Sequence, residues 1–96
     1  MNSLTDIKII LQRYKSTLYN EYSVKSMGIF GSFARNEQSD TSDIDILVEF
    51  DKPIGLKFVD LANELEMILN NKVDLVSKNG VRPKLMKYIL QDIQYV

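Results

Sequence analysis

Ninety-six residues, 45% of them hydrophobic and 26% charged, suffice for one small domain with its own core and argue against global disorder. Twelve Lys and Arg stand against 13 Asp and Glu, a formal charge of −1, which argues against a module that grips long nucleic acid. Cysteine and histidine are both absent, so disulfides, zinc sites of the Cys/His type, a thiolate nucleophile and an imidazole base are all excluded. A catalytic metal, if there is one, must be held by side-chain oxygens, which points to a hard cation such as Mg²⁺ or Mn²⁺. No apolar run approaches the ~18 residues needed to span a bilayer. The stretch MNSLTDIKII has no basic segment leading into an apolar one, so it does not read as a signal peptide. A soluble cytoplasmic protein of one domain, residues 1–96, is expected.

Residues 3–20 read as an amphipathic helix. Ser3 and Asp6 resemble a capping box, and Leu4, Ile7, Leu11, Tyr14 and Leu18 step by three and four along one face, widened by Ile9 and Ile10. Residues 24–30, VKSMGIF, read as a strand that Gly31 and Ser32 break. One short helical turn fits 32–36, followed by the polar loop NEQSDTS. Residues 43–50, DIDILVEF, are the clearest strand: Ile44, Ile46 and Val48 face one way, and Asp43, Asp45, Leu47 and Glu49 face the other.

After the turn at Asp51-Lys52-Pro53, residues 55–70 fit a second long helix with Leu56, Val59, Leu61, Leu65, Ile68 and Leu69 as its apolar members. Asn70-Asn71 ends it, because Asn tolerates the left-handed conformation. KVDLVS, residues 72–77, reads as a third strand with Asp74 inside it; Asn79-Gly80 turns the chain, and Pro83 opens a last helix over 83–91. The tail IQYV is too short to assign. The expected architecture is α/β (α+β), a small mixed sheet of about three strands with helices packed on one face.

The chemistry concentrates in GSFARNEQSDTSDIDILVEF. Asp43 and Asp45 share a strand face roughly 6.6 Å apart. Converging carboxylates repel, and a divalent cation removes that cost. Asp74 can join them if its strand lies alongside. Asp-x-Asp alone is more often a solvent face than a metal site, but Leu47 continues this face and is apolar. Gly31 lets an anion approach the backbone, Ser32 adds a hydroxyl donor at a helix start, and Arg35 adds a charged fork. No P-loop or dinucleotide fingerprint is present.

Gly31-Ser32, ten intervening residues and then Asp43-Ile44-Asp45 resemble the signature of the DNA polymerase β-type nucleotidyltransferase superfamily. With KVDLV and RPKLMKYILQDIQYV, the chain from about Met27 to Val96 resembles the minimal nucleotidyltransferase (MNT) family, many members of which are antitoxins encoded beside a HEPN-domain toxin. The resemblance implies the polymerase β-type fold and a transfer of AMP from ATP to a hydroxyl. It implies that Asp43, Asp45 and Asp74 are catalytic and hold two Mg²⁺ ions (Mn²⁺ is an alternative), and that Gly31, Ser32 and Arg35 bind the nucleotide. The implied acceptor is a tyrosine of a partner HEPN toxin. Where the family usually has glycine this chain has Asn36, which tolerates positive φ.

Rival readings are an antitoxin that works by binding alone, a nucleotidyltransferase for a small-molecule acceptor, and a sugar-nucleotide glycosyltransferase using Asp-x-Asp. The intact motif argues against the first; the short chain argues against the other two. The apolar last helix suits pairing with a second copy or with the toxin.

Overall fold

In the computed structural model, which describes residues 3–96, the capping box forms as its residues dictate: Asp6 N–H donates to the Ser3 hydroxyl and Ser3 N–H to the Asp6 carboxylate. It opens α1 (Leu4–Tyr22), which Ser23 closes in the left-handed conformation. Ile7, Leu11 and Leu18 are buried as the helical period requires, whereas Ile9 and Tyr14 project outward. The chain continues through β1 (Val24–Phe30), α2 (Gly31–Ala34), β2 (Ile44–Phe50), α3 (Lys57–Leu69), β3 (Val73–Ser77), α4 (Pro83–Asp92) and β4 (Gln94–Tyr95).

The sheet has the order β3-β2-β1-β4. β1 runs antiparallel to both β2 and β4, and β2 runs parallel to β3 across the α3 crossover. The mixed sheet is as expected, and the unassigned tail supplies a fourth strand. That strand is two residues long, too short for any alternation to reveal it, and Val96 N–H continues the pairing by donating to the Met27 carbonyl.

Period-two alternation divides the labour of β2. Ile44, Ile46 and Val48 are fully buried in one cluster with Ile7, Leu11 and Leu18 of α1 and Leu61, Leu65 and Leu69 of α3. Each such side chain contributes roughly 1.5–3 kcal/mol by leaving water, so Ile46→Ala would cost about 2–5 kcal/mol. Of the apolar members expected in this helix, Leu56 and Val59 are exposed: α3 begins only at Lys57, so Leu56 caps it and Val59 turns outward. Asn70 ends the helix in the left-handed conformation, as expected. The opposite face of the sheet carries Asp45 and Leu47, with Gly28 in register with Leu47. Ile93, just past α4, lies over Gly28, where any Cβ would collide with it.

Candidate active site

Three strand ends meet at one edge of this second face. Asp74 on β3 pairs in register with Asp45 on β2, which pairs in turn with Phe30 on β1. Neighbouring strands lie about 4.8 Å apart and in-register side chains share a face, so the two carboxylates emerge side by side with Phe30 beyond them. Val73 and Leu75 pack toward the core, which leaves Asp74 on the open side. The start of β3 is fixed by Glu66 of α3, whose carboxylate accepts from Val73 N–H at 3.0 Å, and the start of β2 by Ile44 N–H donating to the Lys72 carbonyl at 2.9 Å.

Asp43 lies one residue before β2, exposed in the loop, and Asp74 is exposed as well; Asp45 is partly buried. Burial, then the charge of Asp74, then that of Asp43 raise the Asp45 carboxyl to a pKa of about 6, with Arg35 pulling the other way. The three acids thus share one electrostatic neighbourhood. Among the described residues, no group of three such side chains surrounds a single point as a metal cage.

Gly31 makes the neighbourhood possible. Its φ of +75° lies in the region that favours glycine, and a Cβ there would run into the Asp45 carboxylate. The backbone can therefore leave β1 and pass directly against the acid. α2 follows for one turn, presenting first-turn N–H groups that have no partner within the helix. It closes with a Schellman motif: Glu37 N–H donates to the Ser32 carbonyl at 2.8 Å and Asn36 N–H to the Phe33 carbonyl at 3.2 Å. The residue this motif places at positive φ is Asn36, at +59°. The asparagine preserves the turn by adopting the conformation a glycine would take.

Arg35 projects from the end of α2 and is held by Glu37 and by Asp92 of α4, each at 2.9 Å. Hydrogen bonds to these two carboxylates raise its pKa further, Glu37 contributing most. Asp92 has no signal in the sequence, because the pairing spans 57 residues and depends on where α4 docks. Between α2 and α4 runs a groove of about 450 Å³ floored by Phe30 and Gly31 and walled by Leu85, Tyr88 and Ile89 of α4. Sequence reasoning missed this groove as well; its only advance sign is the aromatic residue immediately before Gly31.

A family model described as "Polymerase beta, Nucleotidyltransferase" matches residues 6–96. "Protein adenylyltransferase MntA" of Thermococcus cleftensis is 39% identical over all of this chain and 98% of its own length. "Putative protein adenylyltransferase MJ0126" of Methanocaldococcus jannaschii is 48% identical over the full length of both. A solved structure of a "putative minimal nucleotidyltransferase" superposes with a TM-score of 0.83 at 30% identity, covering 97% of this chain and 95% of that one. A toxin–antitoxin crystal structure with AMP-PNP shares the fold, with a TM-score of 0.73 at 23% identity over 88% of this chain and 70% of that one. The paired acids, the positive-φ glycine beside them and the full-length likeness agree: the chain belongs to the polymerase beta nucleotidyltransferase family, in its minimal nucleotidyltransferase branch.

Proposed function

We propose that this nucleotidyltransferase moves AMP from ATP to a protein hydroxyl, a tyrosine of a HEPN-domain toxin, and so acts as an antitoxin. The observation that carries the reading is the direct packing of the Gly31 turn against Asp45, itself in register with Asp74. That packing supports a phosphate seat at the Gly31 turn beside a pair of carboxylates, the two parts a nucleotidyl transfer requires. The relative named protein adenylyltransferase MntA supports a protein acceptor, and the fold shared with toxin–antitoxin complexes supports the partner. The near-neutral charge suits a protein acceptor better than long nucleic acid.

The donor set fits hard divalent cations: all oxygen, with Asp45 made costly to ionise by burial and then by its acidic neighbours. Mg²⁺ ions held by Asp43, Asp45 and Asp74 would supply charge neutralisation on the transferred phosphate and would acidify the acceptor hydroxyl. The chain's own residues position the rest. First-turn N–H groups at Gly31 and Ser32, with the Ser32 hydroxyl, hold the β- and γ-phosphates, and Arg35 adds positive charge there. The acceptor oxygen attacks the α-phosphorus, the bond to the pyrophosphate oxygen breaks in line on the far side, and the phenolic proton passes to Asp74. Positioning and electrostatics supply the rate.

Incubation of the co-purified pair with α-³²P-ATP and Mg²⁺ should label the partner, and Asp45→Asn should abolish the label. Undiminished labelling by that variant would remove Asp45 from the reaction; a stable complex that never accepts label would leave an antitoxin that works by binding alone.

A further inference from the structure

We propose that the groove between α2 and α4 is the seat of the nucleobase, with the Tyr88 ring stacking on the base and the Gln91 amide reading its edge. This rests on the nucleotidyl-transfer reading above and adds the determinant of base choice, residing on α4. Four observations converge. First, the groove is continuous with the phosphate seat, since Gly31 and Arg35 line it and Gly31 also packs on Asp45. Second, Phe30, in register with Asp45, separates the acids from the groove by a single strand spacing, about 4.8 Å. A ribose can bridge such a gap. Third, the wall has the chemistry of a flat heterocycle's complement. Leu85 and Tyr88 are half exposed or more, while Ile89, which also lines the groove, is buried. Gln91 supplies a donor and an acceptor on one planar group, the pattern that pairs with adenine N6 and N7. Fourth, the Arg35–Asp92 ion pair at 2.9 Å links α4 to the turn that follows Gly31.

In-line geometry decides between the base and the acceptor as occupant. The attacking hydroxyl and the departing pyrophosphate lie on opposite sides of the α-phosphorus. The groove shares Gly31 and Arg35 with the pyrophosphate side, so the acceptor cannot enter from it. The ribose oxygen is an equatorial substituent and is free to lead the base there.

Binding to the full-length protein with Mg²⁺ should be compared for ATP, GTP and inorganic tripolyphosphate, which has no base. Tyr88→Ala should weaken ATP about tenfold, the scale of one lost stacking contact, and leave tripolyphosphate unchanged. Tyr88→Phe should restore ATP binding, Gln91→Ala should erode the preference for ATP over GTP, and Arg35→Ala should weaken ATP and tripolyphosphate alike. If Tyr88→Ala and Gln91→Ala both bind ATP like the wild type, the base sits elsewhere even though the nucleotide reading stands. A Tyr88→Ala variant that keeps ATP affinity but loses transfer to the acceptor assigns the groove to the acceptor and overturns the proposal. Wild-type protein that binds neither ATP nor tripolyphosphate overturns the nucleotide reading and this inference together.

Discussion

Replacing Asp45 with asparagine should stabilise the metal-free protein, and the gain should grow with pH. The carboxyl is raised from 3.8 to about 6, so the folded state holds this proton more tightly than the unfolded chain does. Its contribution to stability is therefore complete below about pH 4, where both states are protonated, and is lost as pH rises through about 6. A shift of about two units has a ceiling near 3 kcal/mol at 1.36 kcal/mol per unit. Asp45 is only partly buried, and solvent screening brings the expected effect to about 1 kcal/mol. Asparagine keeps the shape and removes the charge. In a domain of this size, 1 kcal/mol moves the melting temperature by about 4–8 °C. Thermal denaturation in EDTA should show Asp45→Asn level with wild type at pH 4 and above it by that amount at pH 8. Millimolar Mg²⁺ should raise the wild type at pH 8 and leave the variant in place. A difference that does not change with pH, or a variant that melts below wild type at pH 8, would mean that burial and the neighbouring acids do not raise Asp45 as described.

Gly31→Ala should both destabilise the fold, by about 1–3 kcal/mol from positive φ and from the collision with Asp45, and abolish label transfer; an active Gly31→Ala enzyme of normal stability would show that the turn does not pack on the acid. Asn36→Gly should match or exceed wild-type stability, whereas Asn36→Ala should lose about 1 kcal/mol, read by urea denaturation; equal midpoints for all three would mean that the Schellman closure of α2 is not populated in solution.

The readable parts of this chain were those set by local rules. Ile44, Ile46 and Val48 alternate with Asp45 and Leu47, and alternation alone told which side of β2 faces the core. Ser3 with Asp6, Pro83 at a helix start and Asn70 at a helix end are capping signals that act within one turn, and each formed. What failed was decided at a distance. Leu56 and Val59 satisfy a helical period, but α3 starts later than that period implies and its packing partners lie on another side. β4 exists because β1 offers an unpaired edge, which no feature of Gln94 and Tyr95 announces. The candidate site divides the same way. Gly31, Asp43, Asp45 and Asp74 were legible as residue types with a spacing, but the contact of Gly31 with Asp45 and the reach of Arg35 to Asp92 depend on tertiary placement.

The same alternation explains how so small a domain tolerates a frustrated site. The packed cluster lies wholly on the face of β2 toward α1 and α3, and the acids lie on the other. Removing a core methyl group opens a cavity, whereas removing the Asp45 charge opens none. Substitutions on the acid face should therefore change ion and nucleotide affinity while leaving folding cooperative. The exception is Gly31, which belongs to both sets: its backbone ends a core strand and its missing Cβ makes room for the carboxylate. Fold and the proposed chemistry meet at that residue, so a change in activity there should come with a change in stability.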